Sequence, residues 1–332
     1  MDQGGLHLGL TWDGERVVAA RVASTRRPAA RVLRGLPAAQ AAALAPRLFS
    51  LCARAQGAAA QLALAAAQGA PPDAATLAGL IRGVALEAVG EHLWRLLLDW
   101  PPALGAAARR DDFLAWRRRL LAVDGDAAAR ALGADLLAWL RAERVPAPAQ
   151  AGAAGVALLP QLDAAAWASV ALDEGFAAAP VWNGQVAETG ALARRHAEPA
   201  TAALRAAGQG VAARLAARHA DLHCLAAALA EGPAAPQFAG WLDAVPLADG
   251  GGLARVETAR GVLLHLTQVK DGRVGGYVIV APTEWNFHPQ GAFVREIAGC
   301  PAASRAQAEA AGRRLALALD PCVAYEIEVV DA

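Results

Sequence analysis

No two of the four cysteines, Cys52, Cys224, Cys300 and Cys322, stand as a CxxC pair. Cysteines scattered in this way in a cytoplasmic chain are for the most part reduced and buried, and only sometimes metal ligands. An excess of one charge sign is missing too: Lys+Arg and Asp+Glu balance at 31 each, so the formal net charge is +0. A general nucleic-acid surface, which needs a basic excess to displace counterions, is therefore not expected. Long apolar runs are absent. The longest uncharged stretches, Ala55–Pro72 and Val145–Gln161, are interrupted by Gln56, Gln61 and Gln68 or by Pro146, Pro148 and Pro160. Neither provides the roughly 20 apolar residues of a membrane span. The opening residues show no basic region followed by an apolar run, so no secretory signal is read. There is also no Gly-rich phosphate loop, no GxSxG elbow and no Cys–His pair with local context.

What is abundant is alanine, with hydrophobic residues at 56% of the 332 and charged residues at 19%, which excludes a disordered chain. Because alanine buries little area, the mean hydropathy of +0.28 overstates the core. Residues 6–24 alternate around Asp13-Gly14 and predict a β-hairpin. From about 37 to 245 the pattern is helical, with a long helix through Leu77 to Trp100 that Pro101-Pro102 should end. Further helices are expected over Asp111–Ala122, Ala127–Arg144, Leu162–Phe176 and Pro199–Ala230, with a linker over Pro146–Gly155. After Gly250-Gly251-Gly252 a second hairpin turns at Asp271-Gly272, followed by a helix over Arg305–Leu319 and a strand over Ala324–Val330. The fold class is mainly α with small β-hairpins (α+β). One domain, 1–332, is expected, as an N-terminal hairpin (1–35), a helical body (36–250) and a C-terminal hairpin, helix and DPC segment (251–332).

Residue types alone single out little. His219 and His223 share a helix face at a spacing that suits a metal, but no HExxH-type acid accompanies them, and a solvated face is the simpler reading. Glu87, Glu91 and His92 have the composition of an acid–base set but are expected to make helix-surface pairs. Trp94, Trp100, Trp116 and Trp139 are most simply core.

Taken in order, several segments resemble the nickel–iron hydrogenase large subunit. Residues 255–291 resemble its E-A-P-R-G-x-L-x-H hairpin followed by P-T-x-W-N-x-x-P, matched at Glu257, Arg260, Gly261, His265, Pro282, Thr283, Trp285, Asn286 and Pro289. Residues 315–331 resemble the F-D-P-C-x-x-C-x-x-H-V ending, and 180–194 resemble P-x-Y-x-G-x-x-x-E-V-G-P-L-A-R. The helix ending in L-D-W, the stretch RLFSLCARAQG (47–57) and the opening LTWDGERV have counterparts in the same order. The resemblance thus spans nearly the whole chain and implies a shortened large-subunit-like fold.

Departures from the family pattern carry the functional expectation. Two of the four metal-binding cysteine positions are occupied by Phe49 and Tyr325, leaving Cys52 and Cys322. Neither replacement is a good soft-metal ligand, so no stable nickel and no hydrogen-activating centre are expected. The family's N-terminal glutamate corresponds to Asp13, the histidine after the first cysteine pair to Gln56, and the histidine at which the family's precursor is cut to Glu328. Tail cleavage is not expected. Arg260 and the Ala281-Pro282-Thr283 segment match the groups around the iron's cyanide ligands, and guanidinium and hydroxyl are suitable donors to cyanide. Arg260 has a plain alternative as a salt-bridge partner of Glu257 or Asp320, and the two cysteines as inert thiols.

Within the family the pattern resembles the HupK/HoxV-type hydrogenase expression/formation proteins. That resemblance implies a cytoplasmic, non-enzymatic assembly factor with no catalytic residues. Its transient cargo is an iron–dicyano–carbonyl unit, with Cys52 and Cys322 as metal ligands and Arg260, Pro282 and Thr283 as contacts to the cargo's ligands. The implied partners are the hydrogenase large-subunit precursor and a small HypC-type chaperone. The alternative is a metal-free structural or interaction protein of the same fold. Cys224 and Cys300 fall outside the matched segments.

Overall fold

The structure is a computed structural model describing residues 4–49, 51–148, 150 and 155–332. Its strands, among the described residues, are β1 (Leu6–Trp12), β2 (Val17–Ser24), β3 (Ala157–Leu158), β4 (Ala187–Glu188), β5 (Leu242–Leu247), β6 (Gly251–Thr258), β7 (Gly261–Lys270), β8 (Arg273–Val280) and β9 (Tyr325–Asp331). They make a three-stranded sheet in the order β2-β1-β9, a four-stranded sheet in the order β5-β6-β7-β8, and the short pair β3-β4.

The first hairpin forms where alternation and Asp-Gly foretell it. Leu6, Leu8 and Leu10 are buried on one face of β1, and β2 pairs with it antiparallel from Leu6↔Ser24 to Trp12↔Val17. The Asp13 carboxylate accepts the backbone N–H groups of Glu15 (3.0 Å) and Arg16 (2.9 Å), closing the turn. β9 adds to the other edge of β1 in parallel, from Leu6↔Tyr325 to Trp12↔Asp331. Below this sheet the helices Ala292–Ile297 and Arg305–Leu319 bury Phe293, Ile297, Leu315 and Leu319.

A second core holds the helical body against the four-stranded sheet. Helices Ala53–Ala67, Ala74–Trp94, Gly125–Leu140 and Gly210–Glu231 bury Leu62, Val84, Leu93, Leu136 and Leu225 together with Val256 and Leu263 of the sheet. Asp73 starts the long helix by accepting the N–H of Thr76 at 2.7 Å. Helix Ala53–Ala67 lies directly on β6: a Cβ at Gly252 would stand 2.1 Å from the Ala63 carbonyl oxygen and 2.5 Å from the Ala67 nitrogen. Gly252→Ala should therefore cost about 1–3 kcal/mol as an overpacking change, read as a lower urea midpoint. An unchanged midpoint would mean that the helix is free to move off the sheet.

Several sequence expectations are corrected. Pro101-Pro102 do not end the long helix. It passes into a π turn over Arg95–Asp99, and the prolines occupy the start of one more turn, Trp100–Ala103, where their missing N–H groups are tolerated. The expected helix over 162–176 is two short pieces, Ala164–Trp167 and Glu174–Ala178, each capped by its own aspartate, Asp163 and Asp173. Pro199–Ala230 is two helices, Pro199–Ala206 and Gly210–Glu231, separated at Gly208 with φ +70°. The second hairpin is β7–β8, turning at Asp271 and Gly272, both with positive φ. It belongs to a sheet of four strands, because β5 and β6 precede it. β5 falls inside the segment read as helical body. Half of the expected linker, Ala149 and residues 151–154, lies outside the described residues. Trp94 is 39% exposed, edge-on to Phe113, while Trp100 is wholly buried.

Candidate functional site

Segments far apart in sequence meet between the two cores. Cys52 immediately precedes the helix Ala53–Ala67, and Cys322 lies two residues after Asp320, whose left-handed backbone (φ +58°) ends the helix Arg305–Leu319. The short helix Pro282–Asn286 brings Thr283 to Cys322: hydroxyl and sulfur are 3.1 Å apart, and the Cys322 N–H donates to the same hydroxyl at 3.3 Å. Buried Pro282 opens that helix at a position needing no N–H. The Cys52 sulfur accepts from the Gln56 amide at 3.7 Å. Burial first, then the nearby Cys322 and Glu87, pushes the Cys52 thiol up to about 12, with Arg260 acting in the opposite sense. The two thiols and Arg260 therefore share one electrostatic environment.

Arg260 is held by carboxylates. Its Nε donates to Asp320 at 3.1 Å and its Nη2 to Glu91 at 2.6 Å. The Asp320 pairing was one of the two alternatives weighed from sequence. Glu257 instead pairs with Arg194 at 2.7 Å. Asp320 also accepts from Arg95 at 2.7 Å and Arg218 at 2.9 Å. Burial would raise its carboxyl, but Arg260, Arg95 and Arg218 outweigh that and hold it well below the usual range. The Arg260 loop is positioned from behind. Asn286 of the Pro-Thr-x-Trp-Asn segment donates to the Arg260 carbonyl at 3.2 Å and accepts the Thr189 N–H at 3.0 Å. At Gly261 (φ +127°) a Cβ would come within 2.4 Å of the Thr189 side chain, so only glycine fits. The Arg260 Nη1 has no protein partner among the described residues, which leaves a donor for a bound anion-like group.

Glu91 and His92 are not surface pairs. Glu91 reaches Arg260, and His92 is fully buried between Asp221 (3.0 Å) and Arg218 (3.2 Å). The reason is that His92 lies on the side of this helix that faces the helix Gly210–Glu231, and Glu91 is drawn to Arg260 across the Asp320 turn. Glu87 accepts the N–H groups of Arg54 (2.7 Å) and Ala55 (3.1 Å) at the start of the helix after Cys52, and burial pushes its carboxyl up to about 7. His219 is half-buried and His223 exposed, and no cluster of three or more His, Cys, Asp or Glu suited to a metal occurs among the described residues.

Arg26, Glu284 and Tyr277 were not singled out as site residues from the sequence. Arg26 pairs with Glu284, next to Thr283, and both thiols act on its charge. Behind Cys52, Tyr277 and Gln56 flank buried His265, at 2.8 and 2.9 Å from its two ring nitrogens. The adjacent Glu284, flanked by motif residues, was the only available signal. Asp13 stays in its surface turn, and Glu328 is exposed on β9. Phe49 lines a cleft with Arg26 and Thr283, and half-buried Tyr325 begins β9.

The buried histidines give a pH prediction. Burial lowers His92 to about 4 and His265 to about 3, so both are neutral in the folded protein. Their unfolded values lie near 6.5, so the unfolded chain binds more protons as pH falls below that. The stabilisation is complete above about pH 6.5 and lost as pH falls through about 4. On unfolding between pH 7 and pH 4.5 the two histidines take up close to two protons while Glu87 gives up close to one, so urea midpoints should fall with a net uptake nearer one proton per chain from these three groups. A flat profile would contradict it.

The family model described as nickel-dependent hydrogenase matches residues 201–327. The hydrogenase expression/formation protein HoxV of Cupriavidus necator is 34% identical, the match covering 92% of this chain and 91% of the relative. HupK of Azotobacter vinelandii is 36% identical over 91% of each chain. HupK of Rhizobium leguminosarum bv. viciae is 35% identical over 91% of this chain and 90% of the relative. Among solved structures, a [NiFeSe] hydrogenase variant from Desulfovibrio vulgaris Hildenborough superposes with a TM-score of 0.68 at 17% identity, covering 97% of this chain and 99% of that one. That likeness establishes the large-subunit-like α+β fold, and identity over nine-tenths of the length establishes the kinship: the chain belongs to the HupK/HoxV family of hydrogenase expression/formation proteins.

Proposed function

We propose that this protein is a non-catalytic, cytoplasmic scaffold in hydrogenase maturation, which receives an iron–dicyano–carbonyl unit and passes it to the large-subunit precursor. The observation that carries this reading is the site itself. Cys322 and Arg260 both act on the charge of Cys52, and Thr283 touches Cys322, while Phe49 and Tyr325 stand where two more thiolates would be needed for a nickel–iron pair. The donor set fits the cargo: thiolates suit low-spin iron, and Arg260 Nη1 and the Thr283 hydroxyl suit cyanide nitrogens. Pro282 would contribute by opening the short helix that carries Thr283. Thr283 is engaged with Cys322, so its hydroxyl would turn from the sulfur to the cargo. Fewer thiolates than in an enzyme would also let the cargo leave. The donor of the cargo in this reading is a small HypC-type chaperone.

Infrared spectra of protein purified anaerobically from its own host test the reading. Carbonyl and cyanide bands, with iron and without stoichiometric nickel, are expected. Protein from cells with an active maturation system that carries neither band would favour a metal-free interaction protein. No hydrogen-dependent dye reduction is expected, and robust turnover free of contaminating hydrogenase would overturn the non-catalytic assignment.

A further inference from the structure

Beside the thiol site lies a cleft of about 380 Å³. Val22, Ala23 and Ser24 of β2 line one part of it, and Tyr277, Val278 and Ile279 of β8 another. Both strands are at the edge of their sheets. Arg26, Phe49 and Thr283 also line it, and Thr283 touches the Cys322 sulfur, so the cleft reaches the site. Its two carboxylates are already neutralised. Glu284 is paired with Arg26, and Glu174 is paired with Arg31 (3.1 and 2.6 Å) and Arg34 (2.6 Å). Arg27, exposed at the cleft, has no carboxylate partner among the described residues. From Arg16 to Pro72 the sequence holds eight arginines and no Asp or Glu, in a protein whose net charge is +0. Arg26 and Arg27 line the cleft, and Arg31 and Arg34 reach its Glu174, so four of these arginines stand against its two carboxylates.

An apolar slot between two strand edges accepts an extended chain, and a positive rim selects its charge. We propose that the cleft docks an extended acidic segment of a partner protein, with apolar side chains entering the slot and carboxylates meeting Arg27 and its neighbours. The inference deepens the scaffold reading, on which the partner's identity as donor or acceptor of the cargo rests. A second copy of this chain is disfavoured as occupant, because two such positive faces repel. A phosphate backbone would leave the apolar slot unfilled.

The test uses the full chain and two fluorescein-labelled peptides, one alternating Glu and Leu, the other Lys and Leu, read by fluorescence anisotropy. The Glu/Leu peptide should bind, more weakly as salt rises, and the Lys/Leu peptide should not. Arg27→Glu should weaken binding roughly ten-fold or more, and Arg27→Lys should preserve it. Arg118→Glu, the same charge change on the helix Arg110–Leu121 away from the cleft, should have no effect. Failure of the Glu/Leu peptide to bind, or equal weakening by Arg118→Glu, would overturn the proposal. So would tighter, Arg27-dependent binding of single-stranded DNA or phosphatidylglycerol vesicles. Cys52→Ser should leave peptide binding intact. If the peptide binds as expected and the infrared bands are absent, docking stands and the cargo reading falls; bands without peptide binding give the reverse.

Discussion

Cys52→Ser is expected to abolish the carbonyl and cyanide bands and to stop hydrogenase maturation, whereas Cys322→Ser should leave part of both. In the large-subunit pattern that the chain resembles, the Cys52 position bridges the metals and so touches iron, while the Cys322 position touches only nickel. Without nickel, Cys322 reaches iron only by swinging across the pocket toward the place where Tyr325 stands. That movement must break its contact with Thr283 at 3.1 Å. Cys52 needs no such rearrangement. A serine hydroxyl donates far less electron density to an electron-poor iron carbonyl than a thiolate does. Loading also requires Cys52 to lose its proton. In the empty protein burial pushes that thiol up to about 12, so deprotonation must be coupled to cargo binding. Equal retention of the bands in both single variants would show that neither thiol holds the cargo.

Asp320→Asn should be the most destabilising single change at the site, at about 3–5 kcal/mol. One carboxylate faces Arg260, Arg95 and Arg218, all largely buried, and the substitution leaves three guanidinium groups without their shared counter-charge. Asparagine tolerates the left-handed backbone at this position, so the change isolates charge from strain. The check is a urea midpoint against the parent, with Glu91→Gln as the comparison. That variant removes only the more exposed partner of Arg260 and should cost about 1 kcal/mol or less. If Asp320→Asn costs no more than Glu91→Gln, the triple pairing does not organise the loop. If it costs as expected, Arg260 should lose its orientation as well, and cargo bands should weaken in whatever folded protein remains.

Much of the frame was legible because local chemistry specified it. Asp13-Gly14 and Asp271-Gly272 announced the hairpins, and Ser304 caps a helix whose apolar spacing was plain. β6 was not, because every residue in it is buried and the alternation that marks a half-buried strand is missing. β5 carries Pro246 and was read as the tail of the helical body. At the site, motif residues could be named in advance, since each sits in a recognisable local string. Their partners could not. Arg95 to Asp320 spans 225 positions and Arg26 to Glu284 spans 258, and no local pattern encodes contacts of that kind. The same limit explains why Glu91 and His92 read as surface residues: helical periodicity says which residues share a face, not how many neighbours enclose the helix.

The parallel pairing of β1 with β9 sets an order of events during synthesis. Leu6–Trp12 emerges first and waits with one edge open until Tyr325–Asp331 arrives to close it. Chains fold from the N-terminal side as they are made, at about 5–20 residues per second. Nearly the whole chain must therefore be translated before that edge is filled. Cys322 lies three positions before the closing strand, so it reaches Thr283 only when nearly all of the chain has been made. In the scaffold role proposed above, loading would therefore wait until this strand has been made and docked.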